Sequence, residues 1–255
     1  MQIKESFSMK LQLPQVTLIA VTSVKIYETI RALTYSMQGI DFGEVVLVTH
    51  KKPFGLPKGI TYKHTDRLTD IDRFNYLIAY ELGSYVNTDY VILVHYDGFI
   101  VHPEMWRKEF LAYDYIGSPW PLPTAEHSTY YDENGNICRV GNSVSLRSRR
   151  FLNYPKEAGF EWKPAADGFY NEDIFLCCMN KVKFEEAGMR FAPIEVARLF
   201  GREHTIPETE GVTPFLFHKW WGENKDFPKF ENPLTKLWLT IKAIRRRLMF
   251  WRDWS

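Results

Sequence analysis

Residues 88–101 read TDYVILVHYDGFIV. The run TDYVILVHY (88–96) is apolar and rich in β-branched side chains, and its length suits a strand buried on both faces. Just before it, Ile71, Phe74, Leu77, Ile78 and Leu82 recur at helical spacing and Gly83 ends the pattern. Further back lie ITYKHT (60–65), a shorter strand, the Pro/Gly loop KKPFGLPKG (51–59), and EVVLVTH (44–50), a second buried strand. Ile26, Ile30, Leu33 and Met37 mark an earlier helix that stops at Gly39, and VTLIAV (16–21) is the first buried strand. Strand and helix alternate throughout this half. The pattern predicts an α/β protein: a Rossmann-like, mainly parallel sheet with helices flanking it.

After Asp97 the regularity weakens. Residues 106–136, WRKEFLAYDYIGSPWPLPTAEHSTYYDENGN, have the aromatic, Pro-rich texture of loops that shape a pocket. RVGNSVSLRS (139–148) reads as a strand entered through a glycine turn, and NEDIFLCCMNKVKFEEAGM (171–189) as one helix with Asn171 as N-cap and Gly188 as stop. VTPFLFHKWW (212–221) returns to a β-like run.

Composition narrows the classes of function. A chain of 255 residues with 45% apolar residues builds one large core and needs no staples. Its 32 basic and 31 acidic residues nearly cancel, which argues against a nucleic-acid binder. The three cysteines, Cys138, Cys177 and Cys178, show neither a disulfide framework nor a metal-ligand spacing, as expected in a reducing compartment. MQIKESFSMKLQLPQ at the N-terminus lacks an apolar signal region, so the expected location is cytoplasmic.

In open parallel sheets, ligands bind beyond the carboxyl ends of the strands. The first strand ends in VTSVK, and no glycine precedes Gly39. A dinucleotide fingerprint or P-loop needs glycines there for close backbone approach to phosphate, so both are excluded. A nucleotide's diphosphate would need another partner, such as a metal ion. His95 and Asp97, two residues apart at the end of the strand 88–96, offer an imidazole and a carboxylate on one face. The same residues permit another reading, because Asp97-Gly98 between two apolar runs is also a hairpin turn signal.

These residues carry a resemblance. A buried strand ending in a short acidic motif, after a βαβ half without a phosphate-binding glycine loop, resembles GT-A type nucleotide-sugar glycosyltransferases. There the motif is usually Asp-x-Asp with its last acid on the metal; here His95 stands in the first position. NEDIFLC (171–177) is similar to the acidic pair that opens a helix in inverting members, VGNSVSLRSRR (140–150) to the strand lining their sugar site, and FHKWW (217–221) to a segment whose His completes the metal site. The ordered set from Val16 to Trp221 resembles an uncharacterised bacterial glycosyltransferase-like family of the domain-of-unknown-function kind.

The resemblance implies a single catalytic domain over residues 1–233. Residues 14–105 would form its nucleotide-binding half and residues 106–233 an irregular acceptor half. It implies transfer of a sugar from a nucleoside diphosphate, UDP favoured, to a glycan or lipid-linked hydroxyl, with inversion. The catalytic carboxylates would be Glu172 and Asp173; adjacent helical residues diverge by about 100°, and Asp173 is preferred as the base. Asp97, His218 and His95 would hold a divalent cation, Mn or Mg. By position, Thr22, Ser23, Arg73, Asn75, His95 and Lys219 are the nucleotide contacts, and Trp120, Gly141 and Asn142 face donor sugar or acceptor.

Plainer readings stand beside these. Acids after an Asn cap suit any helix start, and His218 beside two tryptophans also fits a structural histidine. A catalytically inactive carbohydrate- or nucleotide-binding protein on the same fold is the alternative function. Residues 234–255 carry six cations and one Asp in a chain whose net charge is +1. Their apolar residues fall on one helical face, which predicts a basic amphipathic helix; it suits an anionic membrane surface, peripheral at the inner face of the cytoplasmic membrane, but equally a docked partner or packing on the core with its charged face in water.

Overall fold

The computed structural model describes residues 10–124 and 130–233. The basic segment 234–255 lies outside the described residues.

The first strand, β1 (Leu11–Val21), leads through α1 (Ile26–Ser36) to β2 (Ile40–Thr49) and β3 (Thr61–His64). Helix α2 (Ile71–Tyr76) continues through a π turn and a 3-10 turn to Tyr85 before β4 (Tyr90–Leu93). Asp70 caps α2 by accepting from the Arg73 amide at 2.8 Å. Next come β5 (Tyr115–Pro119), β6 (Val140–Ser148) and α3 (Arg149–Glu157), the last capped by the Ser148 hydroxyl.

The six strands form one sheet in the order β3-β2-β1-β4-β6-β5. β3, β2, β1 and β4 are parallel, whereas β6 runs antiparallel to both of its neighbours. Successive β1 side chains enter opposite cores. Leu18 and Ala20 join the one holding Ala32 and Leu33 of α1; Ile19 and Val21 join the one holding Leu77, Ile78 and Leu82 after α2. Both faces are covered, which is why the strands read as unbroken apolar runs.

Three segments depart from the sequence expectation. The stretch 106–136, read as loop, contributes edge strand β5. The expected helix over 171–189 divides at Asn180 into α4 (Glu172–Ile174), extended by a π turn to Met179, and α5 (Lys181–Glu186). The β-like run 212–221 supplies only β8 (Leu216–Phe217), which pairs in parallel with β7 (Gly201–Arg202) after the unforeseen helix α6 (Ile194–Phe200). No helix among the described residues is long and apolar enough to cross a membrane.

The candidate active site

The chain leaves β1 toward β2 on one side and later returns to β4 on the other. A cleft of about 560 Å³ opens at this switch point, beyond the carboxyl ends of the strands. It brings together Thr22, Ser23, Asn75, His95, Asp97, Glu172, Asp173, His218 and Lys219, nine of the residues singled out in the sequence.

Both readings of Asp97-Gly98 are realised in one structure. The His95 amide donates to the Gly98 carbonyl at 2.7 Å and the Gly98 amide to the His95 carbonyl at 3.3 Å. Tyr96 and Asp97 are therefore the corners of a tight turn, and that turn delivers the buried Asp97 carboxylate into the cleft. A Cβ on Gly98 would lie 2.8 Å from the His218 ring and 3.0 Å from the Phe217 carbonyl oxygen, so glycine permits the close approach of the β8 segment.

Asp97, His95 and His218 place one ligand atom each within 4.8 Å of one another. Asp97 Oδ2 accepts from Lys219 Nζ at 2.7 Å, while Oδ1 faces His218 Nε2 at 3.9 Å. Burial pushes the Asp97 carboxyl up, but His218 and Lys219 outweigh it and hold the acid below its ordinary range. His95 is driven down to about 3 by burial, with His218 adding to the shift. Its Nε2 and both ring nitrogens of His218 are buried without a hydrogen-bond partner. Polar atoms left this way are costly, and a divalent cation would take up one nitrogen of each ring, while His218 Nδ1 faces Glu203. The donor set thus fits a metal.

On the facing side, α4 presents the acidic pair. The Glu172 carboxylate accepts from Ser143 Oγ and lies 3.6 Å from Arg147 Nη2, itself fully buried in β6. Glu172 is thereby committed to β6. Among the described residues, Asp173 accepts only from the Ile174 amide, at 2.9 Å. Burial, with Glu172 and Glu203 adding like charge, pushes it up to about 8.

Four expected contacts are corrected by their surroundings. Arg73 does not line the cleft; its guanidinium pairs with Glu81 at 2.8 Å. Trp120 is 2% exposed and stacks on Tyr130 with centroids 4.7 Å apart, so its face is closed to a sugar. Gly141 serves that packing, since a Cβ there would meet the Trp120 ring at 1.9 Å. Asn142, buried with φ 121°, donates to Glu203 at 2.8 Å and accepts from the Val144 amide at 3.0 Å, so its amide is turned into the fold.

Thr22, Ser23 and Asn75 line the cleft, yet each is engaged by the fold. Thr22 closes a turn to Val24, Ser23 Oγ accepts from the Leu68 amide at 2.9 Å, and Asn75 donates to the Tyr170 carbonyl just ahead of the acidic pair.

Glu203 went unforeseen in the sequence. It follows β7 as His218 follows β8, and the parallel register sets Glu203 Oε1 3.1 Å from His218 Nδ1, off the line of a hydrogen bond. Burial raises the Glu203 carboxyl, but His218 outweighs it and holds the acid low. Nothing in GREHT (201–205) signals this; only the pairing of two-residue strands does. Arg147 lay inside the quoted SLRS stretch, where its charge in a buried strand was the available signal.

The architecture is a mixed α/β fold with a mainly parallel central sheet flanked by helices. Galactosyltransferase LgtC, crystallised with donor and acceptor sugar analogues, shares this fold with a TM-score of 0.50 at 11% identity, over 84% of this chain and 92% of that one. More distant is mannosyltransferase PcManGT from Pyrobaculum calidifontis, in complex with GDP-Man and Mn2+, with a TM-score of 0.40 at 14% identity over 73% and 58% of the two chains. Residues 63–218 match the family described as protein of unknown function DUF5672, and the chain belongs to that family. No curated protein matches it in sequence.

Proposed function

We propose that this protein transfers a sugar from a nucleoside diphosphate, UDP favoured, to a hydroxyl of a glycan or lipid-linked acceptor, with inversion at the anomeric carbon. One observation supports this most: a single switch-point cleft holds an uncommitted carboxylate, Asp173, together with the His95–Asp97–His218 cluster.

Asp173 takes the acceptor's proton as the hydroxyl oxygen attacks the anomeric carbon. The bond from that carbon to the diphosphate oxygen breaks, and the diphosphate leaves with the electron pair. Glu172, anchored to Ser143 and Arg147, fixes the start of α4 and by its charge keeps Asp173 basic. Lys219 contributes a fixed positive charge beside the leaving group. A divalent cation on His95, Asp97 and His218 would supply Lewis-acid stabilisation of the diphosphate. In this reading residues 1–233 act as one catalytic domain, and the basic, Trp-containing sequence 234–255 holds it against an anionic membrane surface on the cytoplasmic side.

Calorimetric titration with UDP, GDP and dTDP, with and without Mn2+, tests the donor site. The expected result is metal-dependent binding of one nucleotide, lost in Asp97→Ala. Proton NMR of the glycoside product reads the anomeric outcome. No binding of any of the three nucleotides sinks the proposal. A second reading, a binding protein without catalysis, draws on Lys219 Nζ at 2.7 Å from Asp97, where an ammonium can replace the ion's charge. It predicts nucleotide-sugar binding with neither hydrolysis nor transfer.

A further inference from the structure

We propose that the loop between β2 and β3, residues 51–58, is a membrane-contact element: Phe54 enters the bilayer as an apolar wedge, while Lys51, Lys52 and Lys58 hold the headgroups of anionic lipids. The inference deepens the preceding reading, in which only residues 234–255 meet the membrane. It rests on that reading solely for the lipid-linked acceptor that such contact serves.

Exposure singles out Phe54. Its side chain is 107% exposed, whereas the next most exposed large apolar residue among those described, Phe169, is at 67%. A lone exposed apolar side chain is ordinary on a protein surface; the setting of this one is not. The loop is tied down at its base, where Leu56 packs against the main core and the Ile60 amide donates to the Pro57 carbonyl at 3.2 Å. Pro53 and Pro57 restrict φ on either side of the tip. Gly55 turns the chain at φ 66°, and a Cβ on it would meet no atom within 4 Å. An anchored loop therefore carries a ring that gains nothing from the fold and is unfavourable in water.

Charge identifies what covers it. Residues 45–65 contain four lysines and no acid. Lys63 is paired with Glu44 at 3.0 Å, but Lys51, Lys52 and Lys58 are exposed and have no acidic partner among the described residues. Cations around a protruding apolar side chain complement an anionic lipid surface, the lysines staying with the headgroups while the ring passes below them. Size argues against a protein partner. A stable protein interface buries about 800 Å² on each side, and one aromatic ring supplies only about 200 Å². The loop also leaves β2 at its carboxyl end, the end of the sheet where the cleft opens.

The test titrates the full chain, without nucleotide, with sedimenting phosphatidylcholine vesicles that contain or lack phosphatidylglycerol. Wild type is expected to bind only the anionic vesicles. Phe54→Ser should weaken that binding roughly 10–100-fold, and Lys52→Gln about fivefold. Because Phe54 is fully exposed, Phe54→Ser should keep the wild-type unfolding midpoint, which separates lost binding from misfolding. A fluorophore on Phe54→Cys, selective because Cys138, Cys177 and Cys178 are buried, should shift to the blue on anionic vesicles and be quenched by spin-labelled acyl chains. Anionic-vesicle binding that Phe54→Ser leaves unchanged overturns the proposal and leaves residues 234–255 as the sole contact. No vesicle binding at all overturns both. A dimer in analytical ultracentrifugation that Phe54→Ser dissociates, with vesicle affinity unchanged, replaces the lipid by a second copy of the chain. None of these outcomes touches nucleotide binding, so the transferase reading stands or falls separately.

Discussion

The two banks of the cleft differ in how their polar atoms are used. On the bank built by β1 and α2, Thr22, Ser23 and Asn75 face the cavity, but their hydroxyl and amide groups close turns and tie loops. On the bank built by the β4 turn, α4 and β8, Asp173 holds only a local backbone bond among the described residues, and Nε2 of both His95 and His218 has no hydrogen-bond partner there. Folding consumes polar groups wherever it can, because an unpaired buried one is costly. Those left open inside the cleft are the ones a ligand can reach.

The largest expected effect tests the open bank. Asp173→Asn should lower kcat about 10²–10⁴-fold if the carboxylate is the base. In wild type, kcat/KM should climb with unit slope as pH rises to about 8 and then level, since only the ionised acid accepts a proton. Stability should move the other way. The folded value lies above the unfolded one of about 4, so the contribution is complete below about 4 and is lost as pH rises through about 8. Asp173→Asn should therefore raise Tm by roughly 2–5 °C at pH 8.5 and by little at pH 4. Thermal melts at both values check this; a lower Tm at pH 8.5 would contradict the strained, uncommitted carboxylate.

Trp120 sharpens the contrast from the other side. Its ring fills the space above Gly141 and beside Tyr130. Trp120→Ala should cost about 3–5 kcal/mol in denaturant unfolding, the usual penalty for emptying an aromatic site in a core. A variant that keeps its stability but no longer binds acceptor would restore the platform reading.

The sequence made the β1–β4 half legible because its strands are buried on both faces and its helices on one, so period and burial agree. Asp97 and Asp173 were legible because turn and cap positions have local signatures. Glu203 was not, since it reaches His218 through two strands of two residues each, and no local pattern records that pairing. Trp120 and Asn142 misled for a related reason. An aromatic or an amide in a loop-like segment looks available to substrate until β5 and β6 pair around it.

Smaller effects test the consumed bank. Ser23→Ala removes the acceptor of the Leu68 amide, a part-buried bond, and should cost about 1 kcal/mol in urea unfolding. A larger loss would mean that the loop before α2 depends on this hydroxyl more than one hydrogen bond allows.

Arg73→Ala is the most discriminating of the small changes. Sequence position put this residue among the phosphate contacts, because it lies on the helix that follows the nucleotide-binding strands. In the fold its Nη2 reaches Glu81 at 2.8 Å, and both side chains are about a third exposed. Such a pair is worth about 0–1 kcal/mol, because water screens it and two long side chains must be ordered to make it. The expected unfolding change is of that size, with donor KM shifted less than about twofold, since a cation outside the cleft lends little to a phosphate inside it. A tenfold rise in donor KM with unchanged stability would place Arg73 back at the nucleotide and require α2 to turn toward the cleft when substrate binds.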